Sequence, residues 1–226
     1  MAGREQTRDR VNQHGYLASR RIGDTRLGVL KNWEWYDDPK RLLFSMARYK
    51  FVAKMLNGRR HALEIGCGDA FNAPIVLQGV KKLTVTDFDP VFIEDAKARM
   101  KAPWLFEARV HNLLDGPIDG AYDAIYSLDV LEHVAREQED LFIGNALQSL
   151  EADGEAIFGM PSLESQAYAS KASKEGHINC KTGEDLVALM RGYFRHVFLF
   201  SMNDEVVHTG YAKMAHYLLV LCCGKK

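Results

Sequence analysis

A glycine-rich turn is the part of this sequence whose residue types and spacing point most directly to chemistry. It runs from Glu64 to Asp69 (EIGCGD), after a short apolar stretch and before a predicted helix. Glycines let the backbone turn tightly and approach a ligand closely, and free N–H groups at a helix start attract negative groups. The next predicted strand leads to Asp87, roughly 20 residues after Gly66, where a carboxylate can accept hydrogen bonds from both hydroxyls of a ribose. Together these features predict an adenosine-type ligand.

The residue at position 71 decides between two kinds of adenosine-bearing ligand. A dinucleotide-binding fingerprint that starts at Gly66 needs glycine or alanine there, and the sequence has Phe71, which would crowd the pyrophosphate. A nicotinamide-dependent oxidoreductase is therefore disfavoured, although it shares the strand, turn, helix and distal acid. Glu64 has no role in a pyrophosphate site, but an acid at that position can attract the ammonium group of a methionine moiety.

The elements that must position these residues follow an alternating pattern. Beyond Gly58, short apolar runs alternate with helical stretches, which predicts βαβ units and a mainly parallel sheet in an α/β fold. We predict seven strands, at 61–65, 82–86, 105–110, 121–127, 155–160, 196–201 and 216–222, and helices at 70–78, 91–101, 136–151 and 182–193. The last two strands leave no room for a helix between them, so we expect an antiparallel hairpin at the sheet edge.

Residues 1–57 are predicted to form a segment separate from a single domain at 58–226. Its apolar residues recur at three and four residue steps from 38 to 56, and Pro39 is suited to a helix start, so this stretch is predicted to be an amphipathic helix. The first thirty residues are polar and carry several arginines. They are compatible with a lid over the site and equally with a solvated tail.

Four sequence segments resemble the successive signature segments of class I S-adenosylmethionine-dependent methyltransferases. They read LEIGCGDAF, TVTDFDP, YDAIYSLDVLEHV and LEADGEAIFGMPS, and they span roughly residues 60 to 162. The resemblance implies a Rossmann-like fold and S-adenosyl-L-methionine as the cofactor. It also implies that Glu64, Gly66 and Gly68 bind the methionine half, that Asp87 binds the ribose, and that Phe88 packs beside the adenine.

Two further groups of cofactor contacts follow from the same resemblance. Ser127, Leu128 and Asp129 would line the cofactor beyond the fourth strand. Asn112, next to Leu113, stands where the family often has an aspartate that holds the adenine amino group, and an amide oxygen can accept the same bond. Asp89, by contrast, is interpreted as the N-cap of the helix that begins at Pro90.

Methyl transfer from a sulfonium requires alignment above all, but a hydroxyl acceptor would benefit from a base. We expect the base in one of the two polar loops after the fifth strand and before the last, as His177 or His208. His133, within LEHV, is interpreted as a residue that orients its loop. The cluster Asn203, Asp204, Glu205 and His208 is unsuited to a metal because neighbouring residues of a strand alternate faces, and no metal site is predicted.

Composition and charge limit the partners and the cellular location that can be expected. The 226 residues carry a formal net charge of −1, which argues against a nucleic-acid partner, and no apolar stretch approaches a membrane span. The amino terminus lacks an apolar signal segment and the four cysteines have no CxxC spacing, so a cytoplasmic protein is expected. The oligomeric state stays open between monomer and homodimer.

The most consistent interpretation is an S-adenosylmethionine-dependent methyltransferase that acts on a small hydroxylated metabolite or saccharide. Transfer to nitrogen or to a carboxylate stays open. A nicotinamide-dependent oxidoreductase and a non-catalytic methyltransferase-like binding protein are the alternatives from other classes.

Overall fold

Eight strands form one mixed sheet in the computed structural model, which describes residues 6–226. Along the chain the strands are β1 (Ala62–Ile65), β2 (Leu83–Asp87), β3 (Glu107–Val110), β4 (Tyr122–Leu128), β5 (Leu150–Pro161), β6 (Phe194–Asn203), β7 (Val206–His208) and β8 (Tyr217–Lys225). Their spatial order is β3-β2-β1-β4-β5-β8-β6-β7. Neighbours from β3 to β5 are parallel, and the pairs β5–β8, β8–β6 and β6–β7 are antiparallel.

The mainly parallel sheet with an antiparallel ending confirms the predicted fold class, with two differences at the edge. The predicted antiparallel pair is β6 and β8, but β8 lies inside the sheet between β5 and β6. The strand at the antiparallel edge of the sheet is β7, which was not predicted from the sequence. It forms because the chain reverses at Asp204, whose φ of 50° places the backbone in the left-handed region that tight turns use.

Eight helices surround the sheet within residues 6–226. They are α1 (Gln13–Ile22), α2 (Val29–Asp37), α3 (Lys40–Met55), α4 (Ala73–Leu77), α5 (Pro90–Arg99), α6 (Glu139–Ser149), α7 (Lys171–Gly176) and α8 (Gly183–Arg191). The predicted helix with a proline start is α3, whose N-cap is Pro39. Asp89 caps α5 as expected, because its Oδ1 atom accepts a 2.9 Å hydrogen bond from Val91 N–H. By contrast, α4 is shorter than predicted, since Ala70 has a φ of 51° and cannot belong to a right-handed helix.

The core lies on both faces of the sheet. Strands β1, β2 and β4 are buried along their whole length, as expected for central strands of a sheet covered on both sides. Side chains of α6 and α8 pack with one buried cluster, and those of α3, α4 and α5 pack with the other. Among the described residues, no helix combines the length and apolar character needed to cross a membrane.

The N-terminal segment is anchored on the glycine turn. Lys31 N–H donates to the Oδ2 atom of Asp69 at 3.0 Å, and the Arg26 guanidinium pairs with Asp95 at 2.9 Å. The Leu30 side chain lies against Gly68, where an added Cβ atom would stand 2.9 Å from it. Residues 6–57 therefore carry two helices ahead of α3, and α2 covers the turn. Residues 1–5 of the predicted 1–57 segment lie outside the described part of the chain.

Candidate active site

The glycine turn leaves β1 with a backbone shape that side chains would obstruct. Gly66 has a φ of +74° and Gly68 a φ of +52°, both in the left-handed region that glycine tolerates best. A Cβ atom on Gly66 would lie 2.3 Å from the Cγ2 atom of Val130. The turn is tied to β2 because Gly66 N–H and Cys67 N–H both donate to the carbonyl of Thr86, at 2.8 and 2.9 Å. These contacts hold backbone groups at the carboxyl end of β1, where ligands bind in open α/β sheets.

Asp87 reaches back from the end of β2 onto this turn. Its Oδ2 atom accepts a hydrogen bond of 2.8 Å from Gly68 N–H, and its Oδ1 atom accepts one of 3.0 Å from Asp89 N–H. Each carboxylate oxygen retains a lone pair for a further donor, because an ionised carboxylate offers about four acceptor positions. The two features predicted from the sequence to share one ligand are therefore in direct contact.

Glu64 is buried beneath the turn between two tyrosines. Its carboxylate accepts hydrogen bonds from Tyr49 Oη on α3 and from Tyr126 Oη on β4, the latter at 2.8 Å. Burial raises the pKa of Glu64 to about 7, and the two tyrosine hydrogen bonds act in the opposite direction. In the helical pattern of the sequence, Tyr49 is only one of the apolar positions. Its hydroxyl group could have indicated a role at the site, because a buried tyrosine hydroxyl usually needs a polar partner.

The residues expected around the adenine lie at the ends of β2 and β3. The Phe88 side chain is 73% exposed, so its ring is free to pack against a flat ligand. Asn112 is exposed, and its side-chain oxygen accepts a 3.1 Å hydrogen bond from Leu114 N–H at the start of a short 3-10 turn. Leu113 itself is buried and belongs to the core.

The end of β4 carries the residues expected beyond the fourth strand. Ser127 Oγ donates to the carbonyl of Ile65 at 3.0 Å, which joins β4 to β1, and Leu128 is buried. Asp129 has a φ of 57°, an unusual conformation for a residue other than glycine. Its two carboxylate oxygens accept bonds of 2.9 and 2.7 Å from Nη1 of Arg48 on α3.

Arg48 was not anticipated from the sequence. Its guanidinium lies 3.8 Å from the ring centroid of Tyr217, in a cation–π contact, while it also pairs with Asp129. The group thus connects α3, the end of β4 and the start of β8. Nothing in the helical periodicity distinguishes this arginine from the exposed basic residues of α3, because its partners come from distant strands.

The two histidines proposed as a base have different surroundings. His177 Nδ1 lies 2.9 Å from Oε1 of Gln166, and its ring centroid is 5.2 Å from that of His133. Burial, followed by the nearby His133, lowers the pKa of His177. His208 lies on the edge strand β7, where Nδ1 accepts from Gly210 N–H at 2.9 Å and Nε2 lies 2.9 Å from Oδ1 of Asn203. Both nitrogens of His208 are therefore engaged, and it is not part of the His133–His177 cluster.

A buried carboxylate adjoins the histidine pair. Glu132, in the 3-10 turn after β4, has 0% exposure, and neither of its side-chain oxygens has a hydrogen-bond partner in the described part of the chain. Burial, together with the charge of Asp129, raises the pKa of Glu132 well above its usual range. Unpaired buried carboxylates are costly, so the position of this side chain needs an explanation that the sequence did not suggest.

A buried ionic network holds the loop that carries His177. Lys181 Nζ lies 2.7 Å from Oε2 of Glu139 on α6, and Asn179 Nδ2 donates to the same oxygen at 2.7 Å. Asn179 N–H also donates to the carbonyl of Glu132 at 2.9 Å. The loop after β5 is thereby tied to the turn after β4, which brings His177 next to His133.

Comparison with known proteins agrees with this geometry. Residues 63–158 match the family described as a methyltransferase domain, whereas no curated protein sequence matches the chain. Among solved structures, the chain resembles the N-methyltransferase NodS of Bradyrhizobium japonicum WM9 bound to S-adenosyl-L-homocysteine, with 18% identity, a TM-score of 0.65, and coverage of 92% of this chain and 97% of that chain.

Two other structures have the same fold. A Thermotoga maritima S-adenosylmethionine-dependent methyltransferase has 18% identity, a TM-score of 0.65, and coverage of 87% of this chain and 96% of that chain. The complex of DhpI with S-adenosylhomocysteine has 14% identity, a TM-score of 0.61, and coverage of 85% and 90%. Residues 63–158 thus resemble a methyltransferase domain, and the chain shares its fold with S-adenosylmethionine-dependent methyltransferases of known structure.

Proposed function

We propose that this protein transfers the methyl group of S-adenosyl-L-methionine to a hydroxyl group of a small metabolite or saccharide. The observation that carries the acceptor side of this proposal is the His177 imidazole. Its Nδ1 atom is held by Gln166, and its Nε2 atom is left to receive a proton. His177 belongs to the loop after β5, at the end of the sheet where the glycine turn lies, which suits a group facing the acceptor.

The residues at the glycine turn fit the cofactor. Gly66 allows the turn to pack against Val130, which a Cβ atom there would meet, and the turn lies at the sheet edge where the cofactor would approach. Asp87 presents acceptor oxygens at the turn for a ribose, and the exposed ring of Phe88 offers a surface for an adenine. The roles of Glu64, Asn112 and Asp129 belong to the same proposal. Glu64 is already occupied by two tyrosines, so we expect its effect on a methionine ammonium to be electrostatic and exerted through the turn.

S-Adenosyl-L-methionine supplies, when bound, a methyl group on a positively charged sulfur. An acceptor oxygen would take this methyl group while the electron pair of the broken carbon–sulfur bond stayed on sulfur, so the residues of this chain would have to align the acceptor and remove its proton. The hydroxyl proton passes to Nε2 of His177 when this residue acts directly as the base. General-base assistance of this kind contributes about 10²- to 10⁴-fold to a rate.

His208 is the second candidate base, and its surroundings make it the weaker one. Gly210 N–H occupies Nδ1, and the proton on Nε2 is directed to Asn203. To accept a proton, His208 would first have to lose one of these hydrogen bonds. We therefore expect His177→Asn to lower kcat by at least about 100-fold and His208→Asn to have a much smaller effect.

The test is a screen of acceptors with the purified protein. Formation of S-adenosylhomocysteine would be followed by mass spectrometry with sugars and other hydroxylated metabolites, and with amines and carboxylic acids as matched panels. Methylation of hydroxyl groups that is lost in His177→Asn supports the proposal. Methylation of amines alone would refute O-transfer and support an N-methyltransferase, the activity named for the NodS structure.

Two alternatives predict other results in the same assays. Binding of a nicotinamide dinucleotide in place of S-adenosylhomocysteine, measured by calorimetry, would support an oxidoreductase. Binding of S-adenosylhomocysteine without turnover of any acceptor panel would support a non-catalytic methyltransferase-like protein.

A further inference from the structure

Three side chains outside the predicted site lie close together beside the end of β4. Glu132 and His133 belong to the turn after this strand, and His177 comes from the loop after β5. One ligand-type atom from each residue, a carboxylate oxygen or an imidazole nitrogen, lies within 4.8 Å of the others. The carboxylate is fully buried and both its oxygens lack a partner. Arg48 acts on this carboxylate through its charge without a hydrogen bond to it, so both carboxylate oxygens are available to a cation.

Hydrogen bonds determine which imidazole nitrogen is available in each ring. His133 Nδ1 lies 2.8 Å from the carbonyl oxygen of Gly176. A carbonyl can only accept, so Nδ1 carries the proton and Nε2 of the neutral ring has a free lone pair. This arrangement, with one ring nitrogen donating to an oxygen, is the one that metal-binding histidines usually have.

The same reasoning applies to His177. Its Nδ1 atom lies 2.9 Å from Oε1 of Gln166. The orientation of this amide follows from its other end, because Gln166 Nε2 donates to the carbonyl of Ser162 and to Oγ of Ser165, at 3.3 and 3.4 Å. Oε1 therefore accepts the Nδ1 proton, and Nε2 of His177 also keeps a free lone pair.

We propose that Glu132, His133 and His177 bind a divalent transition-metal ion. Protein ligands lie about 2.0 to 2.2 Å from such ions, so small movements of the three side chains would bring one ion into contact with all of them. Two imidazole nitrogens and one carboxylate oxygen suit zinc, iron or manganese better than magnesium or calcium, which prefer oxygen ligands. Three protein ligands leave coordination positions open for water or for a substrate oxygen.

Contacts among the surrounding residues hold these ligands near one another. The backbone of Gly176 lies beside the His133 ring, since its carbonyl oxygen is 2.8 Å from Nδ1 and an added Cβ atom would be in ordinary contact with Cε1 at 3.4 Å. The buried contact between Lys181 and Glu139, together with the bond from Asn179 N–H to the carbonyl of Glu132, fastens the His177 loop to the turn. These contacts place His177 beside Glu132 and His133.

The role of the ion in catalysis rests on the proposed function. A cation beside an acceptor hydroxyl lowers the pKa of that hydroxyl, so the oxygen can attack with less need of a protein base. With the ion bound, Nε2 of His177 would be a ligand and could not also accept the proton, so His177 would hold the ion and the proton would leave to solvent. This arrangement favours acceptors with a hydroxyl group that can reach the open coordination positions.

Calorimetry on the metal-free protein tests the site without reference to activity. After treatment with a chelator, zinc and manganese are titrated separately, and magnesium serves as the comparison ion. We expect one zinc or manganese ion per chain and at least 10-fold weaker binding of magnesium. His133→Asn and Glu132→Gln should each lower zinc affinity at least 10-fold. The matched control is His196→Asn, which alters an exposed histidine of β6 that is paired with Cys223, outside this cluster.

Two outcomes would overturn the metal site. It fails if wild-type protein binds neither zinc nor manganese, or if Glu132→Gln and His133→Asn bind zinc as tightly as wild type does. His133 is exposed, so its variant is expected to fold, and circular dichroism verifies the fold of both variants. Metal binding without methylation of any hydroxyl would refute the proposed function and leave the site standing. Hydroxyl methylation by a protein that binds no metal would refute the metal site and leave the proposed function standing.

Discussion

The Oδ2 atom of Asp87 accepts a 2.8 Å hydrogen bond from the backbone N–H of Gly68. This bond joins the end of β2 to the glycine turn after β1, so the acid and the turn occupy one place although they are far apart in the chain. At the carboxyl edge of the sheet, the Asp87 carboxylate and the backbone of the glycine turn therefore form one surface that a ligand can contact. Cofactor affinity should therefore depend on Asp87 in a way that nearby acids do not share.

Replacing Asp87 should weaken cofactor binding. Asp87→Ala removes the acceptor oxygens for a ribose, and we expect a loss of about 1 to 3 kcal/mol in S-adenosylhomocysteine binding by calorimetry. The matched control is Asp89→Ser, which removes a neighbouring charge but keeps an N-cap for α5. Equal affinity in Asp87→Ala and wild type would contradict the ribose assignment.

A pair of glycine variants tests the shape of the turn. Gly66→Ala should lower the free energy of unfolding by about 1 to 3 kcal/mol, because its φ is +74° and the new Cβ atom would meet Val130. Gly144→Ala, in α6, has open space around the new Cβ atom and should raise the free energy of unfolding by about 0.5 to 1 kcal/mol. Urea denaturation measures both. The account of the turn is wrong if the two substitutions change stability in the same direction.

The raised pKa of Glu64 predicts a specific pH dependence of stability. The pKa is about 7 in the folded protein and 4.5 as the reference value, so between these values the folded state binds the proton more strongly than the unfolded state. The protonated carboxyl makes its full contribution to the free energy of unfolding below about pH 4.5, and this contribution is lost as the pH rises towards 7. A tenfold difference in proton affinity between the folded and unfolded states corresponds to about 1.4 kcal/mol of stability.

Glu64→Gln cannot titrate and is the comparison for this effect. The difference in the free energy of unfolding, wild type minus Glu64→Gln, should fall as pH rises from 4.5 to 7 and then level off. Urea denaturation at a series of pH values measures it. A difference that stays constant or increases over this range would show that Glu64 is not held in its protonated form.

The contacts of α2 predict how the N-terminal segment is held. Asp95 on α5 pairs with Arg26, and its Oδ2 atom accepts a 3.4 Å bond from Val29 N–H at the start of α2. Asp95→Ala should therefore accelerate hydrogen exchange of the amides in Val29–Asp37 and leave β4 unchanged. Glu94→Ala, an exposed acid of the same helix, is the control. We further propose that this segment is a lid, in which case S-adenosylhomocysteine should slow exchange there in wild type.

Much of the fold was predictable, and the residues proposed for the cofactor could be chosen from the sequence, because both depend on local patterns. The seven predicted strands and their mainly parallel order follow from alternating apolar runs, and the cap at Asp89 follows from a residue type at a helix start. The start of α4 after Ala70 and the turn at Asp204 were not predicted. Both residues have a left-handed backbone conformation that alanine and aspartate do not usually adopt. The edge strand β7 is a consequence of the reversal at Asp204.

By itself, the sequence determined the cofactor side: a turn of glycines after one strand and an acid after the next must meet, because parallel strands end at the same edge of the sheet. Only the tertiary structure decided which side chains meet at the proposed acceptor side. The meeting of Glu132 and His133 with His177 depends on the path of the loop after β5, and the pairing of Arg48 with Asp129 depends on how α3 crosses the strand ends. Loop paths and helix crossings are set by long-range contacts such as that of Lys181 with Glu139. The hydrophobic periodicity of the sequence does not predict such contacts.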